Sequence, residues 1–144
     1  MILLDTHVLV WTVTADTGRL PRAAIDEIDR AVEEGRAAVS AATFWELEVK
    51  RRKSRTNLPT LPPVKDLRSA VLERGLSEVA VSGDLWVDAV SLLDEAFHPD
   101  PADQLIVATA IRHEWELATM DRRITDWARR TGRLGLHAAG GRTN

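Results

Sequence analysis

Short apolar runs alternate with longer amphipathic stretches along nearly the whole chain of 144 residues. Four of the runs are predicted as strands, Ile2–Asp5, Ala37–Ser40, Leu76–Val81 and Leu117–Met120. Strands that alternate with helices are typical of a parallel sheet, because the helices of the crossovers cover its faces. The pattern therefore predicts an α/β fold with a central, mainly parallel sheet.

The amphipathic stretches between these runs are predicted as helices, and Gly75 as the residue that follows one helix end. They are 6–15, Ala23–Glu34, Ala42–Arg52, Val64–Arg74, Ser82–Ala96, Leu105–Trp115 and Arg122–Arg130. Arg52–Pro63 is predicted as an exposed connection, and Leu134–His137 as an edge strand. We expect one domain over residues 1–137 and a disordered tail over residues 138–144.

The composition excludes several classes of protein and site. The sequence has no cysteine, which excludes disulfides and thiolate metal sites. Asp5 and His7 interrupt the first apolar run. We therefore expect this run to be neither a signal peptide nor a membrane span. A formal net charge of -3 argues against a purely electrostatic nucleic-acid binder. We expect a cytoplasmic protein that does not enter a membrane.

Acidic residues fall where ligands bind in such folds. Asp5 and Asp121 each end a predicted strand, and the carboxyl ends of parallel strands meet at the ligand-binding edge of a sheet. Glu46 lies in an apolar stretch of a predicted helix, and Asp103 lies in the first turn of another. Each acid also has a simpler explanation. Asp121 suits the cap of a helix N-terminus, and Glu46 could be a solvated helix residue. Asp100-Pro101-Ala102-Asp103 resembles a capping arrangement with proline at the first helical position, which would favour a carboxylate at Asp103.

Together the four acids predict a cation site. Neighbouring carboxylates repel one another and take up protons unless a cation lies between them. Oxygen ligands without thiolates suit Mg²⁺ or Mn²⁺, which can activate water and stabilise charge on a phosphoryl group. Nearby basic residues could bind a polyanionic substrate, although a solvated helix face explains them equally well. They are Lys50, Arg51, Arg52, Lys53, Arg55, Arg122 and Arg123.

Four segments, in the same order, resemble PIN-domain proteins and, more narrowly, the VapC-type toxins of type II toxin–antitoxin pairs. They are MILLDTHVLVW, ATFWELEVK, HPDPADQLIVATA and LATMDRRI. The resemblance extends over about residues 1–137 and implies a three-layer α/β/α fold with a metal-dependent endoribonuclease site. It also implies a homodimer that is held inactive by a cognate antitoxin.

The resemblance assigns a role to individual residues. Asp5, Glu46, Asp103 and Asp121 match the family's four acids, which hold one or two Mg²⁺ or Mn²⁺ ions. Hydroxyl residues that support the acids in the family match Thr6 and Thr119. The third segment departs from the family pattern Asp-Pro-Phe-Asp-Arg, because Ala and Gln replace the aromatic residue and the cation. The acids are kept, so the departure bears on substrate contacts more than on the metal site.

Two other functions are left open by the sequence. A non-catalytic PIN-like module would bind RNA or protein without cleaving either. A Mg²⁺-dependent phosphotransfer domain would also carry an aspartate at the end of its first strand. The haloacid-dehalogenase type needs a second aspartate two positions after Asp5, where this chain has His7. The receiver type needs a late lysine, and no lysine follows Lys65.

Overall fold

A computed structural model describes residues 1–53 and 61–140. Its strands form one parallel sheet in the order β3-β2-β1-β4, which confirms the predicted central parallel sheet. They are β1 (Ile2–Leu4), β2 (Ala37–Ser40), β3 (Ser77–Val79) and β4 (Glu116–Ala118). Since β1 pairs with both β2 and β4, the carboxyl ends of these three strands lie side by side.

Helices in the described ranges cover both faces of the sheet. They are α1 (Thr6–Val13), α2 (Arg22–Glu33), α3 (Ala41–Lys53), α4 (Val64–Glu73), α5 (Gly83–Ser91), α6 (Pro101–His113) and α7 (Arg122–Thr131). Gly75 lies just past the end of α4 with a φ of +110°, as expected of a residue that ends a helix. A Cβ at this position would come within 2.9 Å of the Val32 carbonyl oxygen. The position therefore requires glycine.

The side chains of β1 alternate between two hydrophobic cores. Ile2 and Leu4 pack with apolar residues of α1, α2 and α4, whereas Leu3 packs with those of α5, α6 and α7. All three side chains are buried, and burying a leucine stabilises a fold by about 1.5–3 kcal/mol. The sheet is thus the middle of three layers, with helices on both sides.

Two element boundaries differ from the prediction by four residues or more, for local reasons. The helix predicted over Leu105–Trp115 begins at Pro101, the first helical position that the capping arrangement Asp100-Pro101-Ala102-Asp103 indicates, because Asp100 caps its first turn. The helix that was expected to reach Ala96 ends at Ser91 and continues as a 3₁₀ turn, Leu92–Glu95. Ala96 then adopts a left-handed conformation with φ at 58°, which ends the turn.

The C-terminal segment pairs less with the sheet than predicted. In place of an edge strand over Leu134–His137, a single bridge joins Leu136 to Leu117. Ala138–Gly140, expected to be disordered, forms a short 3₁₀ helix with Ala139 buried. Residues 141–144 lie outside the described part of the chain, as does most of the predicted connection at 52–63.

The helices of residues 1–53 and 61–140 are all too short to cross a membrane. The longest of them have 13 residues, whereas a span needs about 20 apolar residues.

Candidate functional site

Helix N-termini bring acidic side chains together at one edge of the sheet. Asp5 caps α1, Asp100 caps α6 and Asp121 caps α7. Each carboxylate accepts a hydrogen bond from a backbone N–H of its own helix, at 2.7, 3.0 and 2.8 Å respectively. The free N–H groups and the positive end of a helix dipole both favour a carboxylate at this position. The capping role considered for Asp121 is therefore correct, and capping also assembles the site.

A compact triad of carboxylates lies between α3 and the start of α6. One oxygen each from Glu46, Asp100 and Asp103 lies within 4.8 Å of the others. Glu46 and Asp103 are each only 7% exposed, so water can compensate little of their charge. Three carboxylate oxygens at this spacing can bind one divalent cation, and oxygen-only ligands favour hard ions.

Asp5 adjoins the triad and is held by a hydroxyl group from the neighbouring strand end. Its Oδ2 accepts a hydrogen bond of 2.6 Å from Oγ1 of Thr119, which in turn accepts one of 3.1 Å from the N–H of Asp121. Asp5 is 3% exposed, and burial raises the pKa of its carboxyl although the hydrogen bonds lower it. Thr119 thus connects two of the predicted acids.

Thr6 contributes its backbone rather than its hydroxyl group to the acids. Its N–H donates to Asp5, while its Oγ1 donates to Oγ1 of Thr43 at 3.2 Å. Both hydroxyl groups are buried beneath the acidic edge. Thr6 therefore fixes the start of α1 and, through it, the position of Asp5.

Electrostatic repulsion is concentrated on Asp103. Burial, and after it the charges of Asp5, Asp100 and Glu46, raise the pKa of its carboxyl to about 6, although the hydrogen bond with His98 lowers it. Nε2 of His98 lies 2.7 Å from Oδ2 of Asp103, at hydrogen-bond distance. The surrounding protein therefore compensates this carboxylate only in part, and a bound cation would supply what is missing.

Asp121 is compensated by Arg123. Nη2 of Arg123 lies 2.9 Å from Oδ2 of Asp121 and 3.5 Å from Oδ2 of Asp103, so one guanidinium bridges two acids. Burial alone would raise the pKa of Asp121, but the hydrogen bonds and charge of Arg123 lower it. Arg123 thus favours the ionised form of Asp121.

The four predicted acids lie at the same edge of the sheet but do not form one compact group. Glu46 and Asp103 belong to the triad, whereas Asp5 and Asp121 border it and are joined through Thr119. Asp100 belongs to the triad, although the sequence predicts it only as part of a helix cap. Its position three residues before Asp103 was the available signal, because an N-cap side chain reaches the residue at N3.

The predicted substrate-binding cations divide into two groups. Lys50 and Arg123 contact the acids, with Nζ of Lys50 3.6 Å from Oε2 of Glu46. The others do not contact the acids: Arg51 donates to the Pro62 carbonyl oxygen (3.4 Å), Arg52 pairs with Glu48 (2.9 Å), and Lys53 and Arg122 are exposed. Arg55 lies outside the described residues.

Comparison with solved structures finds the same fold in three complexes. VapBC2 from Rickettsia felis, bound to a DNA fragment from its promoter, has a TM-score of 0.61 and 18% identity over 95% of this chain and 98% of that chain. FitAcB from Neisseria gonorrhoeae has a TM-score of 0.58 and 20% identity over 96% and 98%. A toxin–antitoxin complex from Klebsiella pneumoniae has a TM-score of 0.55 and 22% identity over 84% and 87%. At these identities the likeness concerns the fold.

Sequence comparison extends the likeness to a curated relative. Ribonuclease VapC22 of Mycobacterium tuberculosis (strain ATCC 25618 / H37Rv) is 37% identical over 123 residues, which are 85% of this chain and 88% of that protein. Residues 2–130 match the PIN domain family. Since that match covers most of the chain and every acid of the cluster, the chain belongs to the PIN-domain family, as its four sequence motifs predicted.

Proposed function

We propose that this protein is a metal-dependent endoribonuclease and the toxin of a type II toxin–antitoxin pair. The observation that carries the proposal is the buried carboxylate cluster around Asp103, whose charges are only partly compensated by the protein. The cluster lies at the carboxyl edge of a parallel sheet, which is where such folds bind ligands. The relation to ribonuclease VapC22 supports RNA as the substrate class.

Asp5, Glu46, Asp103 and Asp121 hold one or two Mg²⁺ or Mn²⁺ ions in this proposal, directly or through water. Asp100 is a further candidate ligand, since its carboxylate belongs to the triad. When bound, such an ion supplies a water of lowered pKa and stabilises negative charge that develops on the phosphodiester. Thr119 and the N–H of Thr6 hold Asp5 in place by hydrogen bonds. Metal ligands commonly depend on such supporting contacts.

The cations around the acidic edge are the proposed RNA-binding residues. Lys50 and Arg123 contact the acids themselves, whereas Arg51 and Arg52 are exposed near the end of α3 and Arg122 is exposed at the start of α7. These side chains would bind backbone phosphates, which fixes the position of the RNA without reading its sequence. An RNA substrate also favours the cytoplasmic location expected from the sequence.

A cognate antitoxin and a second copy of the chain are the proposed protein partners. Two of the structural neighbours are described as a toxin–antitoxin complex and as VapBC2, which supports an antitoxin partner. An apolar surface on α5 supports self-association, since Trp86, Val87 and Val90 are 51%, 70% and 57% exposed. Contiguous exposed apolar surface of this kind is typical of protein interfaces.

Cleavage of a pool of structured RNAs by the purified, antitoxin-free protein tests the function. With Mg²⁺ or Mn²⁺ we expect endonucleolytic products, and with EDTA we expect the rate to fall about 10³-fold, since the metal supplies several kcal/mol of transition-state stabilisation. Excess Mg²⁺ should restore the rate. Cleavage that resists EDTA would contradict the metal requirement. RNA binding without cleavage under any divalent ion would favour the non-catalytic alternative.

A further inference from the structure

Two exposed cationic side chains rest on the buried acids. The Lys50 side chain is 40% exposed, and its Nζ lies 3.6 Å from Oε2 of Glu46, whose side chain is 9% exposed. The Arg123 side chain is 62% exposed, and its Nη2 lies 3.5 Å from Oδ2 of Asp103, whose side chain is 10% exposed. Both cations therefore sit at the mouth of the site, while the acids that they contact form its floor.

These contacts place the two cations in competition with a bound metal. The Asp103 oxygen that lies near Arg123 belongs to a residue of the acidic triad, and Glu46 belongs to it as well. A dication between those carboxylates would lie a few ångströms from the ammonium and guanidinium groups. Like charges at such a distance repel strongly at a partly buried site. Long side chains that are half exposed can relieve the repulsion by moving outward.

We propose that Lys50 and Arg123 are tethered counter-ions, which partly neutralise the acids of the metal-free site and are displaced toward RNA phosphates when a divalent ion binds. Metal and RNA would then bind cooperatively. A bound metal releases the two cations for RNA phosphates, and bound RNA draws them away from the carboxylates that the metal needs. This inference rests on the proposed function for its RNA half. Its metal half concerns the chain's own carboxylates and stands separately.

If Arg123 competes with the metal as a counter-ion, removal of its side chain should strengthen metal binding. A purely structural role for Arg123 predicts the opposite effect. If its hydrogen bonds to Asp121 served to position that carboxylate as a ligand, removal of the guanidinium would weaken metal binding. The backbone N–H of Arg123 also donates to Asp121 at 2.8 Å and survives substitution of the side chain. Asp121 therefore stays capped in a variant, and the direction of the change in affinity separates the two roles.

Calorimetric titration of the metal-free protein with Mn²⁺ measures whether the metal affinity rises or falls. Arg123→Gln and Lys50→Gln should each bind Mn²⁺ about fivefold or more tightly than the unmodified protein, in the usual range of coupling between sites. Arg112→Gln is the matched control. Arg112 contacts two aspartates at 3.4 and 2.9 Å but lies near the other end of α6, so its loss should change the affinity less than about twofold.

The same titration in the presence of a short, cleavage-resistant phosphorothioate RNA tests the cooperative half. RNA should raise the Mn²⁺ affinity of the unmodified protein about fivefold or more, and much less in Arg123→Gln. Equal or weaker Mn²⁺ binding by Arg123→Gln overturns the inference while leaving the proposed function intact. Absence of an RNA effect in the unmodified protein overturns the transfer to phosphate. Absence of Mn²⁺ binding in every variant overturns both this inference and the proposed metal requirement.

Discussion

Asp103→Asn should lower kcat for RNA cleavage about 10³-fold or more, because a neutral amide is a poor ligand for the ion that the proposed mechanism requires. The substitution keeps the size of the side chain, and the amide oxygen can still accept a hydrogen bond from His98. Single-turnover cleavage at saturating Mg²⁺ measures the loss. We expect losses of similar size for Asp5→Asn and Glu46→Gln, whose side chains share the same buried edge.

Asp84→Asn is the matched control for this loss. The Asp84 side chain lies on α5, is 79% exposed and contacts Arg112 rather than the acidic cluster. The Asp84→Asn variant should cleave RNA within about twofold of the unmodified rate, since exposed ion pairs contribute little to stability. Retention of more than a tenth of the activity by Asp103→Asn would contradict the assignment of this carboxylate to the metal.

The same Asp103→Asn substitution should stabilise the metal-free protein at pH 7. The pKa of Asp103 rises from 3.8 to about 6 on folding, so its ionised form disfavours the folded state at neutral pH. Protonated Asp103 therefore contributes fully to the stability of the folded state below pH 3.8, and this contribution is lost as the pH rises through about 6. Asparagine carries no charge, so we expect a gain of about 1–3 kcal/mol in the free energy of unfolding at pH 7.

Urea unfolding between pH 4 and pH 8 in the presence of EDTA measures this gain. The difference between the two proteins should widen as the pH rises and then level off above about pH 7. Asp84→Asn should show no such widening, because its side chain is exposed. A variant that is less stable than the unmodified protein at pH 7 would mean that Asp103 is well compensated without a metal. A loss of activity accompanied by a gain in stability cannot be explained by misfolding.

The fold could be predicted from the sequence wherever burial decides the structure. Leu3 and Leu117 lie in apolar runs too short for helices, which predicted their strands, whereas the pairing of β1 with β4 could not be predicted from these runs. Element ends were predicted less well, because they depend on single caps and on left-handed residues such as Ala96. The edge strand expected at Leu134–His137 contracts to one bridge. Short segments at a sheet edge gain too few hydrogen bonds for sequence patterns to decide their pairing.

The candidate site could be predicted in part, for reasons that lie in its chemistry. Asp5 and Asp121 were predictable because strand ends converge in a parallel sheet, and Glu46 because a charge is unusual in an apolar helix stretch. Asp100 was not predicted as a site residue, since its capping role already explained it. The contacts of Lys50 and Arg123 with the acids depend on side-chain reach across elements, which linear spacing does not reveal.

The measurement that tests the central claim most directly is the position of Mn²⁺ in crystals of the protein, located by anomalous scattering. We expect a peak within about 2.0–2.3 Å of carboxylate oxygens of Asp103 and Glu46, with Asp5 and Asp121 bound directly or through water. The peak should be absent in crystals of Asp103→Asn. Mn²⁺ bound only at other carboxylates, in a protein that cleaves RNA, would contradict the claim that this acidic edge is the active site.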